Sequence, residues 1–346
     1  MSAVAVERRA LPMAPARTLR TARVSLTDRC DLACVYCRPA SPTTRRISKR
    51  RAQLDLQSWR VLLAALLKSG ARTVRFTGGE PLLHPAVVDL VRMAAELGFS
   101  DIALTTNATR LERLAAPLRA AGLRRVNVSL DSLDRARFAQ ITRADVLDRV
   151  LAGIEAARAA GFVELKTNTV VMRGTNDDEL ERIVLWAWDR AIVPRFIELM
   201  PIGEGALLPV AERVGADEMR TLLSALGLGS DASEDAGRGP ARYLGREGAP
   251  AERVGFITAV SDEFCASCNR VRLTSQGEVR ACLASRRAVS LRDLLRAGVD
   301  DRGLVWALSW ALAGKAPGHS FFEPGRAVRG AGDADHTRVG MSLIGG

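Results

Sequence analysis

Between residues 20 and 200 the chain alternates short β-branched runs with longer stretches whose apolar residues recur at helical spacing. The six runs are TARVSL (21–26), RTVRFT (72–77), DIALTT (101–106), RVNVSL (125–130), VELKTNTVV (163–171) and RFIELM (195–200). Strand followed by helix, repeated, demands a parallel sheet, because each parallel pairing needs a long crossover to bring the chain back. LDLQSWRVLLAALLKSG shows the helical pattern, with Gly70 placed to end it. Similar segments fall near 85–97, 110–121, 145–160 and 177–189, the last opened by the capping and acidic residues of TNDDE. Six units are two short of a closed barrel of eight. The expected fold class is therefore α/β, a partial (βα)6 TIM-like barrel with its ligand groups at the C-terminal strand ends.

All six cysteines fall into two triads, Cys30, Cys34 and Cys37 in CDLACVYC, then Cys265, Cys268 and Cys282. The opening stretch MSAVAVERRALPMAPAR lacks the apolar run of a secretion signal, since Glu7, Arg8 and Arg9 interrupt the only candidate. A flexible leader and a cytoplasmic location are expected, where clustered thiols point to metal or redox chemistry rather than disulfides. Three thiolates are one fewer than a closed tetrahedral site needs. A 4Fe-4S cluster with one iron lacking a protein ligand satisfies the count and leaves that iron open to a small molecule. A zinc ion completed by a distant ligand, with His84, His319 and His336 as the imidazoles available, and buried free thiols are the alternatives.

Charge adds a weaker constraint. Lys and Arg number 50 against 39 Asp and Glu, a formal charge of +11 that favours anionic partners, although Arg-rich solvated helix faces give the same count. With two Tyr, nine Phe and no aromatics interleaved with a basic run, a base-stacking platform for nucleic acid is not indicated. A zinc-stabilised nucleic-acid module nevertheless stands as the reading from another functional class. No apolar run approaches the roughly 18 to 20 residues of a membrane-spanning helix.

The expected organisation is a leader over 1–19, the barrel over 20–226, a loop or linker over 227–250 and a smaller α+β unit over 251–346. The linker, GLGSDASEDAGRGPARYLGREGAP, is read as holding at most one short strand. The last unit carries short strands near VGFITAV, NRVRLTS and EVRACL, helices near 290–297 and 301–314, and an extended tail ending in Gly345 and Gly346.

CxxxCxYC after a first strand, followed by GGEP (78–81) after a second, resembles the radical S-adenosylmethionine (SAM) superfamily. CASC with NRVR directly after Cys268, then Cys282, RFIELMPIGEG (195–205) and the Gly-Gly end make residues 20–346 similar to the GTP 3′,8-cyclase family of molybdenum cofactor biosynthesis. The resemblance implies two 4Fe-4S clusters, one on each triad, with SAM on the first and guanine held at the second. One electron then cleaves SAM to methionine and a 5′-deoxyadenosyl radical, which takes hydrogen from C3′ of GTP. Attack of C3′ on C8 leads to (8S)-3′,8-cyclo-7,8-dihydroguanosine 5′-triphosphate, a lyase reaction.

Carried over by motif, Arg23, Arg75, Thr105, Lys166, Arg270 and Arg272 bind GTP, with Arg23, Arg270 and Arg272 also catalytic, while Tyr36, Gly79, Ser129 and Met200 bind SAM. A triphosphate needs several charge-assisted donors, and Arg supplies planar, permanently charged ones. Arg270 and Arg272 alternate along a strand and so share a face, and Lys166 stands in an apolar strand. Arg195 lies on a strand that faces the same cavity. Gly78 and Gly79 are expected to let backbone approach the ligand, Glu80 to accept from the SAM amino group, and Tyr36 to touch adenine. Asp31, Ala33 and Arg38 stand where the family often has Asn, a larger residue and Met. The partners implied are a flavodoxin- or ferredoxin-type reductant, a downstream pyranopterin-forming enzyme and a second copy in a homodimer. The alternative within the superfamily is an enzyme modifying a peptide or protein, a class that usually carries more than three C-terminal cysteines.

Overall fold

The computed structural model describes residues 17–39, 53–231, 239–283, 285, 287–316 and 318. The six expected strands are β1 (Thr21–Ser25), β2 (Thr73–Thr77), β3 (Asp101–Thr106), β4 (Arg125–Ser129), β5 (Glu164–Val171) and β6 (Val193–Glu198), each parallel to the next. Helices α1 (Leu56–Lys68), α2 (Val87–Leu97), α3 (Leu111–Ala120), α4 (Arg135–Thr142), α5 (Leu147–Ala159) and α6 (Leu180–Trp188) return the chain between them. In α1, Asp55 caps the start by accepting from Ser58 N at 2.7 Å, and Gly70 follows the end at φ +102°.

The strands have two unlike faces. Ala22, Val24, Val74, Phe76, Leu104, Val126 and Val128 are fully buried against the helices. The alternate residues Arg23, Arg75, Thr105, Asn127 and Lys166 line the concave interior. Closed barrels of this class pack their interior with branched apolar side chains. Here the interior is polar and forms a cavity.

Three expectations are corrected. Helix α4 was not anticipated, because RARFAQIT shows little apolar periodicity; Asp134 caps it by accepting from Arg137 N at 2.8 Å, and only Phe138, Ile141 and Thr142 are buried. The stretch 227–250 holds β7 (Leu228–Asp231), β8 (Arg242–Arg246) and the start of β9 (Ala249–Ile257), all antiparallel. Its Gly and Arg content reads as loop, yet hairpins need only backbone pairing, a turn such as Gly248 at φ +77°, and the one buried face that Tyr243 supplies. Leu19, placed at the end of the expected leader, is 2% exposed in the core, so the fold begins before residue 20. The rest of that leader, residues 1–16, and the Gly-Gly tail lie outside the described residues.

The C-terminal unit joins the same sheet. Strands β10 (Arg270–Leu273), β11 (Glu278–Arg280) and β12 (Ala288–Ser290) extend it beyond β1, and β9, β8 and β7 extend it beyond β6, making twelve strands in one sheet among the described residues. Strand β10 runs parallel to β1 and β9 parallel to β6. Helices α7 (Ala216–Leu222), α8 (Leu291–Arg296) and α9 (Asp301–Ala313) complete the described elements. No helix among them is long and apolar enough to cross a membrane.

Candidate active site

The loop carrying Cys30, Cys34 and Cys37 leaves the C-terminal end of β1. Cys265 and Cys268 precede β10, which runs parallel to β1, and Cys282 follows the antiparallel β11. The triads therefore stand at opposite ends of the barrel, roughly 15–20 Å apart by the rise of a five-residue strand.

In the first triad, the Cys34 carbonyl accepts from Cys37 N at 2.9 Å and Arg38 N at 3.0 Å, which folds Cys37 back beside Cys34. Cys30 Sγ accepts from Leu32 N at 3.4 Å and from Asn107 Nδ2 at 3.8 Å. Asp31 ties this loop to the one after β3, accepting from Asn107 Nδ2 at 2.7 Å and Thr109 Oγ1 at 2.6 Å. Burial pushes the thiols up, Cys37 to about 12 and Cys30 to about 11, and Cys34 rises for the same reason with Asp131 and its sister sulfurs adding to it. Buried thiols that resist ionising alone become ligands when a cationic centre arrives, and N–H···S bonds are the support that an iron–sulfur group accepts. The donor set fits a three-thiolate cluster site.

The GGE turn packs against the loop that carries the first triad. A Cβ on Gly79 would lie 2.2 Å from the Arg29 carbonyl oxygen. Gly79 N donates to Thr27 O at 2.6 Å and Glu80 N to Arg29 O at 2.7 Å, so the glycine admits the backbone of the triad loop. Glu80 is spent on the same scaffold: Oε1 accepts from Leu82 N at 2.9 Å and Thr106 Oγ1 at 2.7 Å, and Oε2 from Asn107 N at 2.7 Å. Burial raises its carboxyl to about 7 against the pull of those bonds. The Tyr36 hydroxyl donates to Asp131 Oδ2 at 2.7 Å, while its carbonyl accepts from Gly205 N at 3.0 Å and anchors the turn that follows Met200.

Between the triads lies a cavity of about 710 Å³. Arg23, Arg75, Thr105, Lys166, Arg270, Arg272 and Met200, all singled out by sequence, line it together with Cys265, Cys268 and Cys282. Gly79, Tyr36 and Ser129 are not on its wall. Arg195 is, at 7% exposure. Eight lining residues are Lys or Arg and none is Asp or Glu, among the described residues. Arg23 sits in register between Arg75 on β2 and Arg272 on β10. Burial holds its guanidinium well below the usual arginine range, with Arg272, Arg270 and Arg75 adding repulsion. Arg75 falls to about 9 through burial and the charges of Arg195 and Arg125, and Arg272 to about 10 through burial and Arg270.

Among the lining residues that escaped the sequence reading, Tyr243, Lys315 and Arg125 hold defined polar contacts. Tyr243, 5% exposed, accepts from Lys166 Nζ at 2.8 Å, while Glu164 Oε1 lies 2.9 Å from the same nitrogen, so the buried cation is partnered on both sides. Lys315 Nζ donates to Arg270 O at 2.9 Å and Ala281 O at 2.5 Å, joining the strands that carry the second triad. Arg125 is held by Asp101, its Nε donating to Oδ1 at 2.7 Å. Each occupies a sequence position that reads as ordinary surface charge or loop.

In the second triad Cys268 departs from the pattern of the first. Burial would raise the Cys268 thiol, but the charges of Arg270 and Lys315 and a 3.2 Å hydrogen bond from Arg270 Nε bring it down to about 7. Cys265 is raised by burial and by Cys282 and Glu263. Three thiols on the cavity wall, one of them about half ionised near neutrality, fit a second cluster.

Residues 24–187 match the Radical SAM superfamily and residues 192–321 match Molybdenum Cofactor Synthesis C. The GTP 3′,8-cyclase of Heliobacterium modesticaldum is 42% identical over 333 residues, covering 96% of this chain and 98% of the relative. GTP 3′,8-cyclase 1 of Pseudomonas aeruginosa is 42% identical over 305 residues, covering 88% and 92%. Among solved structures, Streptococcus suis SuiB bound to S-adenosylmethionine aligns with TM-score 0.58 at 17% identity, over 82% of this chain and 66% of that one, just under two thirds of its length. SuiB bound to its precursor peptide SuiA aligns with TM-score 0.60 at 14% identity, over 88% and 76%. At such identities the likeness shows the fold.

Proposed function

The chain belongs to the GTP 3′,8-cyclase family of the radical SAM superfamily, and on that premise we propose that it joins C3′ to C8 of GTP, forming (8S)-3′,8-cyclo-7,8-dihydroguanosine 5′-triphosphate for molybdenum cofactor biosynthesis. The observation that carries this reading is the wall of eight cations without a carboxylate, set between two cysteine triads. A polyanion is the complement of such a wall, because it relieves the repulsion that depresses Arg23, Arg75 and Arg272. When bound, the two 4Fe-4S clusters and SAM supply the reducing electron and the hydrogen-abstracting 5′-deoxyadenosyl radical that no side chain can provide.

The protein's own part is positioning. Cys30, Cys34 and Cys37 would hold the first cluster, with Tyr36, Gly79, Ser129 and Met200 around SAM. Cys265, Cys268 and Cys282 would hold the second, beside the guanine. Arg23, Arg75, Arg270 and Arg272 crowd one end of the cavity and suit the triphosphate, while Thr105 and Lys166 lie deeper. Confinement inside the barrel keeps water from quenching the reaction. Residues 20–226 would supply the first cluster site together with Arg23, Arg75, Thr105 and Lys166, and 251–346 the second cluster site with Arg270 and Arg272. A flavodoxin- or ferredoxin-type reductant, hand-over to a pyranopterin-forming enzyme, a homodimer and a cytoplasmic setting complete the reading.

Anaerobic, reconstituted and reduced protein given SAM and GTP should release 5′-deoxyadenosine in step with GTP loss; 5′-deoxyadenosine uncoupled from GTP would sink the proposal. The peptide-modifying alternative finds no support in the 42%-identical relatives, and the likeness to SuiB reaches only the fold.

A further inference from the structure

Helix α4 ends at Thr142, and the next residue, Arg143, takes the left-handed conformation at φ +56°. Glycine is the residue that usually fills such a position, because a Cβ is strained there. The chain keeps a long side chain instead, and it reaches the loop of the first triad, 110 residues away in sequence.

One nitrogen of Arg143, Nη1, donates to the Ala33 carbonyl at 2.8 Å and to the Arg38 carbonyl at 2.9 Å. Ala33 stands immediately before Cys34 and Arg38 immediately after Cys37, so a single donor bridges both ends of the CVYC turn. The end of α4 supports the same segment through its backbone, with Thr142 O accepting from Ala33 N at 3.1 Å and Ile141 O from Val35 N at 2.9 Å. Arg38 in turn donates from Nη1 to the Cys30 carbonyl at 3.4 Å, which ties the remaining cysteine to the same clasp. Arg143 is not on the cavity wall, so it acts through the loop and not on a ligand there.

A loop that must be ordered as it binds loses conformational entropy at that moment, and one already held loses less. We propose that Arg143 is a positioning residue for the first triad: it bridges the CVYC turn so that the thiols converge, and retention of an iron–sulfur cluster there depends on that bridge. The inference rests on the reading of Cys30, Cys34 and Cys37 as cluster ligands.

The test follows iron release to a ferrous chelator from the anaerobically reconstituted full chain, with the melting temperature of cluster-free protein measured alongside. In Arg143→Ala about half of the iron should leave about 10-fold faster than in wild type, and the rest at the wild-type rate. In a Cys30→Ala background, which lacks a ligand of the first triad, Arg143→Ala should leave the release unchanged. Arg143→Gly relieves the left-handed backbone, so it should melt no lower than Arg143→Ala and yet lose the same half of its iron as fast. A residue that served only the fold would not separate the two readouts. Arg143→Lys keeps one donor nitrogen and should release iron more slowly than Arg143→Ala. Wild-type retention in both Arg143→Ala and Arg143→Gly, faster release of all the iron alike, or an effect that persists in the Cys30→Ala background would each overturn the inference. Wild-type protein that takes up no iron would overturn the cluster reading together with it.

Discussion

Arg23 on β1 and Arg272 on β10 are register partners, two guanidiniums side by side on a buried wall. Burial and mutual repulsion disfavour both charges in the empty cavity. Neutralising one should therefore help the fold and harm the site. Arg23→Gln is expected to raise the melting temperature of nucleotide-free protein by about 2 °C and to weaken GTP binding by about 10- to 100-fold. A lowered melting temperature with intact GTP affinity would show that Arg23 is structural.

Glu80 should make stability fall as pH rises. Its folded carboxyl lies at about 7, above its usual value of 4.5, because of burial. Its contribution is then whole below pH 4.5 and is lost as pH rises through 7, by an amount on the order of 2–4 kcal/mol. Glu80→Gln removes the titration. Melting of cluster-free protein across pH 4.5 to 8 should show the wild type losing ground to Glu80→Gln up to about pH 7 and then running level; a difference that is flat throughout would contradict it.

Cys268 should be the most reactive thiol of the cluster-free chain at neutral pH. Burial opposes its ionisation, but Arg270 and Lys315 outweigh it and leave the thiol at about 7, whereas Cys30 and Cys37 rise to about 11 and 12. Iodoacetamide labelling followed by peptide mass spectrometry should show Cys268 modified first, with a rate inflecting near pH 7. In Arg270→Gln that inflection should move toward the ordinary thiol range. Uniform labelling of all six cysteines would refute the assignment.

Gly79→Ala drives a methyl group to within 2.2 Å of the Arg29 carbonyl oxygen, backbone against backbone. The expected destabilisation is about 3 kcal/mol, concentrated on the loop that holds the first triad. Reconstituted variant should keep about half of the roughly eight irons per chain that two four-iron clusters require. Full iron content would mean that the loop can give way.

What the sequence made legible was whatever repeats or clusters. The six β-branched runs became six successive parallel strands, and the carried-over arginines with Thr105 and Lys166 share one wall. Helix α4 escaped because its burial rests on Phe138, Ile141 and Thr142 alone, too few to set a period. Tyr243 escaped because it lies in a Gly-rich stretch, and its value comes from Lys166, 77 residues away. Lys315 behaves likewise toward Arg270. Each of these depends on contacts between distant segments, which no local pattern encodes.

The pairing of β1 with β10 also bears on how the chain is made. Strand β1 leaves the ribosome about 250 residues ahead of its outer neighbour, a separation that slows closure of that edge. Until then the nascent barrel exposes both margins, β1 on one side and β6 on the other, for β9 too arrives late. A chain truncated near residue 226 would leave both edges bare and invite edge-to-edge aggregation. The C-terminal segment thus acts in assembly as a clasp, shielding a nearly finished sheet from its neighbours in the cell.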